Sequence, residues 1–379
     1  MLPELTHWPV NWADGMKISR SHLIANDNAL RDAIRDATGL LLTSYNYGLL
    51  SSPTGQESPL LLTCDGSELT LSICRAITPG GARIDFDAAR TLPLRLSLTN
   101  VREQWQRSNH TVGYIVLDIN PFEPQPWGQP DPEEVPLRYP YTQPTCRLSV
   151  LTASMLAPGM SAGYHLPIGK LLLSGGQFSL DSTYLPPCRS VGAWPAFRQH
   201  HQTIGKNLGK IADFATTVIG RVRTNARSGQ ANLLASSIGY LAEATVRVMS
   251  DHLDAYDMRG QDESPLFIVE LGVRLARTLK LAIKSTPDQE RDTMFNYFKN
   301  WCNVSPAEFE TSLNNLLEEE YIHADCQSMI THFYNLTDKL IALYSKLSEL
   351  NYVEKERGTI YQEKQELDPQ PTKRKGIWG

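Results

Sequence analysis

Short alternating apolar runs, broken by Gly, Pro and Asn, fill the first 195 residues of the chain. A sustained repeat of apolar positions four and three residues apart fills most of the remaining length. Of the 24 prolines, 19 lie in that first part, and the stretch from there to about residue 355 carries three, each directly after a Ser or Thr. Period-two alternation with frequent breakers predicts strands, and the 4-3 repeat predicts helices packed along a seam. The pattern therefore predicts an α+β chain of several domains. An N-terminal β-sandwich or barrel-like domain leads into a helical bundle and a helical C-terminal region.

Within the front half, Leu23, Leu30, Ile34 and Ala37 return at spacings of seven, four and three, which predicts a helix from about Ile24 to Leu42 with one apolar face. Pro59–Thr63, Leu69–Ile73, Ala82–Phe86 and Leu92–Leu98 read as strands, and Val112–Ile119 reads as a strand covered on both faces. Residues 120–144 are too proline-rich for a helix or a central strand and are expected to form an extended loop. Its Trp127, Tyr139 and Tyr141 suit a docking surface, or equally cover the domain's own flank. Thr145–Thr152, His165–Leu173 and Phe178–Leu180 complete the strands.

In the helical half, Ile204, Leu208, Ile211, Ala215, Val218 and Val222 form one seam, and Leu234, Ile238, Leu241, Thr245 and Val248 form a second after a turn at Asn225–Gly229. Ser264-Pro265 marks a helix start. Thr286-Pro287-Asp288-Gln289 and Ser305-Pro306-Ala307-Glu308 have the form of capping boxes. The last seam runs Ile322, Cys326, Met329, Phe333, Leu336, Leu340, Leu343, Leu347 and Leu350. It requires a partner helix, in this chain or in another copy of it. The chain then passes into a polar, proline-broken segment read as a flexible tail, closing with Lys373-Arg374-Lys375 and Trp378, a basic cluster beside an aromatic that suits docking.

Composition sharpens this picture. A net charge of -5 argues against nucleic acid as the partner. No apolar stretch approaches the ~20 residues of a membrane span, and the N-terminus lacks the basic start and apolar run of a signal peptide. The six scattered cysteines read as reduced and buried, which together with the missing export signal predicts a cytoplasmic protein. Candidate chemistry is sparse. His323-x-x-Cys326 with His332 invites a metal, but Cys326 falls on the apolar seam with the two histidines on either side of it. His200 and His201 point apart on a helix. Gly163 to Lys170 superficially resembles a phosphate loop, with one residue too many between its glycines and Leu171 where Ser or Thr is required. Asp85 and Asp87 flank Phe86 as a solvated strand edge. No catalytic residue, cofactor site or metal site is expected.

Four segments carry a resemblance. They are Val10-Asn-Trp12-Ala-Asp14-Gly15-Met16 with His22 beyond it, Gly81-Ala-Arg-Ile-Asp85-Phe-Asp87, Leu166-Pro-Ile-Gly169-Lys170, and Leu180-Asp181 to Leu185-Pro186-Pro187. In order and spacing they resemble the TssK family, baseplate adaptors of the type VI secretion system, across roughly residues 8–285. The resemblance implies a cytoplasmic homotrimer at the inner face of the membrane. It implies a baseplate-binding role for the β-rich domain at 1–195 and a neck for the helical bundle at 196–285, and the seams and capped helices beyond add a C-terminal helical domain at 286–355 and a flexible tail at 356–379. The partners implied are wedge proteins of the TssF/TssG type, met by Trp12, Met16, His22 and Trp127, and membrane-complex proteins on the C-terminal side, without insertion into the bilayer. Trp12 either anchors the wedge or plugs its own β domain. After about residue 285 the chain departs from the family's compact mixed head domain, as a divergent, Bacteroidota-type branch would. A trimeric receptor-binding or fibre protein of a contractile phage-like particle is the alternative reading.

Overall fold

The structure is a computed structural model and describes residues 4–52, 58–156, 163–229 and 232–350. Its first part contains α1 (Arg20–Gly39), β1 (Gly48–Leu49), β2 (Leu60–Cys64), β3 (Glu68–Ile77), β4 (Arg83–Asp87), β5 (Leu94–Ser97), α2 (Thr99–Ser108), β6 (Val112–Trp127), β7 (Tyr141–Leu151), β8 (His165–Ser174) and β9 (Gln177–Leu180). Six helices come after these: α3 (Pro195–Arg227), α4 (Leu233–Arg259), α5 (Leu266–Ser285), α6 (Asp288–Trp301), α7 (Pro306–Glu318) and α8 (Gln327–Glu349). The fold is α+β, with the sheets on the N-terminal side and helices after them.

β3 is the spine of the first sheet. β1 and β2 pair along one of its edges, and β4 and β5 pair along the other, all antiparallel. An extra residue at Ser72, opposite the Leu61/Leu62 step, shifts the register there. Burial accordingly changes phase, from Leu69 and Leu71 to Cys74 and Ala76, as a one-residue bulge requires. The second sheet runs β7-β6-β8-β9. Ile115, Val116 and Leu117 in β6 are fully buried on consecutive positions, so both faces are covered there. The two sheets approach closely at Gly169, where an added Cβ would lie 2.8 Å from Leu62 Cδ2. α2 closes one side through Trp105, which meets Phe178 edge-on at 5.4 Å.

Of the expected loop at 120–144, residues 128–140 do lie outside any strand, whereas 120–127 and 141–144 are the paired arms of a β-hairpin. β6 and β7 stay paired from Asn120↔Thr145, past an irregularity, to Trp127↔Tyr141. β8 pairs only with residues 112–118 of β6, so the hairpin continues as a ribbon of two strands. A ribbon has two free edges, and the Pro124↔Pro144 pair fits where both nitrogens point outward and no ladder bond is lost.

By internal contacts the chain divides into two compact units. One comprises Met1–Lys206, His252–Arg274 and Asn314–Asn335, the other Asn207–Asp251, Leu275–Leu313 and Leu336–Gly379. In the first, His201 stacks on Tyr256 at 4.2 Å, and each side chain bonds the other's backbone carbonyl. In the second, Thr245 and Tyr344 share a buried hydroxyl contact of 2.6 Å, and Lys339 bonds the Glu308 carbonyl and Ser312. The Thr286 capping box does not form. Pro287 stands at the N-cap of α6 without a side-chain cap, because the Thr286 hydroxyl donates back to the Ala282 carbonyl and closes α5.

Candidate docking surface

α1 forms where its spacing predicts, but with its faces reversed. Leu23, Leu30, Ile34 and Ala37 are exposed, while Asp32 and Arg35 are buried. The cause lies in the N-terminal arm, residues 4–18. Asp32 Oδ2 accepts from the His7 backbone N–H at 3.0 Å, His7 Nδ1 at 3.1 Å, and more weakly from the Thr6 backbone and hydroxyl. Its other oxygen pairs with Arg35 at 2.8 Å, and Arg35 also reaches Asp36 and the Tyr164 hydroxyl. Burial pushes the Asp32 carboxyl up, but the His7 hydrogen bond and the Arg35 charge outweigh it and hold the group below the usual carboxylate range. His7 stacks on Phe122 at 4.5 Å, and Arg31 bonds the Pro121 carbonyl, so the polar side of α1 rests on the root of the ribbon.

The arm runs antiparallel to α1. Trp12, 47% exposed, meets His22 edge-on at 6.3 Å. His22 Nδ1 accepts the Ser19 backbone N–H at 3.3 Å, so this imidazole closes the helix start. Met16 is half-buried beyond the turn at Gly15, whose φ of 79° is left-handed. Trp12, Met16 and His22 thus share one region. Trp127 sits elsewhere, near the far end of the ribbon, half-buried against Tyr141 at 5.9 Å.

The seam residues Ile204, Leu208, Ile211, Val218, Leu336, Leu340, Leu343 and Leu347 are all at 0% exposure within the single chain. Ile322 leaves the predicted last seam: it is 57% exposed and precedes α8. Lys373, Arg374, Lys375 and Trp378 lie outside the described residues.

Sequence reasoning missed what the segment before α8 does. Asp325 accepts from the Tyr114 hydroxyl at 2.5 Å and from Lys170 at 2.7 Å, and the Tyr184 hydroxyl donates to the Ala324 carbonyl. His323 uses both ring nitrogens, one toward the Tyr47 carbonyl and one toward the Tyr321 hydroxyl. His332 pairs with Glu319. Among the described residues no cluster of His, Cys, Asp and Glu is arranged to hold a metal, and no helix is long and apolar enough to cross a membrane.

The four motif segments occupy structurally demanding places. Gly81, at φ 86°, lies against the end of α1, and Ile84 and Phe86 are buried. Gly169 admits the Leu62 side chain, and Lys170 holds Asp325. The Pro187 carbonyl accepts the Leu49 N–H at 2.8 Å, and the Leu49 carbonyl accepts the Arg189 N–H at 2.9 Å. No family model matches the chain, and no curated protein matches it. Solved structures do. A crystal structure of TssK matches with a TM-score of 0.52 at 16% identity, covering 87% of this chain and 69% of that one. The chain has the fold of TssK. TssK from EAEC in complex with a nanobody matches at 16% identity, 85% and 98% coverage and a TM-score of 0.42. TssK in a TssK-TssF-TssG baseplate subcomplex of the type VI secretion system matches at 15% identity, 90% and 99% coverage and a TM-score of 0.42.

Proposed function

We propose that this chain is a structural adaptor of a type VI secretion baseplate, acting without catalysis and without a cofactor. The observation that carries the reading is the agreement of sequence segments with backbone fold. Four segments resemble TssK in order and spacing, and the backbone that they shape matches a TssK crystal structure.

In this reading residues 1–195 bind wedge proteins of the TssF/TssG type, 196–285 serve as the neck, 286–355 form the C-terminal domain, and 356–379 are a tail. Three copies assemble in the cytoplasm at the inner face of the membrane. The tail, through Lys373, Arg374, Lys375 and Trp378, meets a membrane-complex protein. Trp12 and Met16 supply apolar area toward the wedge, with His22 holding the arm's geometry and Trp127 contributing from the ribbon. Three copies of a weak site give high avidity without a strong single contact.

The test is binding of the purified chain to TssF/TssG-type proteins, compared with Trp12→Ala. A half-exposed Trp at an interface centre is worth at least tenfold in affinity. Equal binding by a folded Trp12→Ala protein removes the arm from the interface. Absent binding by the unaltered chain, with capture of a cell-surface saccharide instead, favours the fibre reading.

A further inference from the structure

We propose that residues 360–368 of this chain dock on the exposed face where the start of α4 lies beside the end of α5. The proposal does not depend on the adaptor reading. Ser285 of α5 donates to the Tyr240 hydroxyl of α4 at 3.4 Å, and Ser237, one turn earlier on α4, donates to Glu290 of α6 at 2.9 Å. Tyr240 is 51% exposed, and Leu281, one turn before Ser285, is 61% exposed. Cations border these two side chains. Arg247 lies two turns after Tyr240 on α4, and Arg277 and Lys284 lie one turn to either side of Leu281 on α5. All three are exposed, and among the described residues no anion pairs with any of them. The anions nearest to them in the chain are engaged: Glu243 with Arg223, Asp288 with Arg291 and Glu290 with Ser237. An exposed tyrosine and leucine set among unpaired cations fit an acidic segment that carries apolar residues of its own.

The chain itself supplies such a segment. Residues 360–368 carry Glu363, Glu366 and Asp368 against Lys364 alone, with Ile360, Tyr361 and Leu367 as their apolar groups. α8 delivers them to the right place. Its Thr337 meets Asn207 of α3, and two turns later its Tyr344 donates to the Leu241 carbonyl of α4 at 3.2 Å. α3 in turn sets Val222 against Gly239 of α4 and Arg223 against Glu243, so α8 runs toward the start of α4. It ends at Glu349, about 8 Å beyond Tyr344. The ten residues 350–359 span up to about 33 Å, roughly three times what passing around one helix requires. So short a tether holds the segment at an effective concentration on the order of 1 mM, and an intrinsic Kd of about 0.1 mM then keeps it docked in a ratio of about ten to one. An acidic segment of another protein meets this face without that advantage.

The test is limited chymotrypsin digestion of the full chain, with the cut after Tyr361 followed by mass spectrometry. Four proteins are compared: the unaltered chain, Arg277→Glu/Lys284→Glu on the face, Glu363→Lys/Glu366→Lys on the segment, and all four changes together. Arg277 and Lys284 are exposed, so circular dichroism should show a folded protein in every case. A segment docked at about ten to one is cut at about a tenth of its free rate, so either pair of changes alone should speed the cut about tenfold. The four changes together restore opposite charges and should return the cut towards its slow rate. Because the effect is read as the interaction across this cycle, any direct influence of the substitutions on the protease drops out. Equal rates in all four proteins overturn the proposal, and so does simple additivity of the two pairs. A slow rate in the unaltered chain that is lost on dilution assigns the segment to another copy's face and overturns it as well.

Discussion

The imidazole of His323 donates through Nε2 to the backbone carbonyl of Tyr47, 2.9 Å away and 276 residues earlier in the chain. The two rings meet edge-on at 4.7 Å, and the Tyr321 hydroxyl occupies Nδ1. One side chain thereby fastens the segment before α8 to the start of β1.

This contact predicts a pH dependence of stability. Burial lowers the His323 pKa to about 4, against 6.5 for a free imidazole, with the hydrogen bonds to the Tyr47 and Cys188 backbones opposing the shift. Between those values the unfolded chain binds the proton and the folded chain does not, so stability falls as pH drops from about 6.5 to about 4. The full contribution is about 3 kcal/mol. Urea unfolding from pH 7.5 to 4.5 should show this slope, and His323→Asn should flatten it.

Asp325 gathers Tyr114 and Lys170, both partly buried. Asp325→Ala leaves a hydroxyl and an ammonium without their acceptor and should cost about 1–3 kcal/mol. Amide exchange should rise at residues 319–326. If exchange there is unchanged, the ion pair does not hold the segment.

Gly48 has a φ of 107°, and a Cβ on it would stand 2.0 Å from the Pro187 carbonyl oxygen. Strain and a backbone clash act together, so Gly48→Ala should cost about 3 kcal/mol or more. A denaturation midpoint equal to that of the unaltered chain would show that β1 and the Pro186-Pro187 segment can separate freely.

Asp32→Ala removes the acceptor of Thr6 and His7 and leaves Arg35 with Asp36 and the Tyr164 hydroxyl. Breaking such a buried pair costs about 3 kcal/mol. Limited proteolysis should then cut within residues 4–18 well before the rest of the chain, whereas an arm held by its tryptophans would stay protected.

Much of the fold was legible because each strand and helix carries its own period. β3, β8 and the seams of α3, α4 and α8 emerge directly from alternation or 4-3 spacing. The orientation of α1 was not legible in the same way. Periodicity reveals that a helix has an apolar face, but the direction of that face depends on Asp32 meeting His7, a contact 25 residues apart that no local pattern encodes. The ribbon was hidden by its prolines, which are costly inside a sheet and tolerated along the free edges of two strands. α2 was missed because Thr99–Ser108 offers few apolar residues and only Trp105 of them is buried. His323 drew notice as a metal ligand candidate, whereas its partners are a backbone carbonyl and a tyrosine hydroxyl. Of the surface residues, Trp12, Met16 and His22 stood in one motif and share one region, while Trp127 lies apart on the ribbon.

The most direct test of the adaptor account is the mass of the complex that forms when the purified chain is mixed with TssF/TssG-type wedge proteins, read by light scattering during size exclusion. The account predicts co-elution in a complex containing three copies of this 42.4 kDa chain together with the wedge proteins. A folded chain that elutes apart from them at every ratio would contradict it.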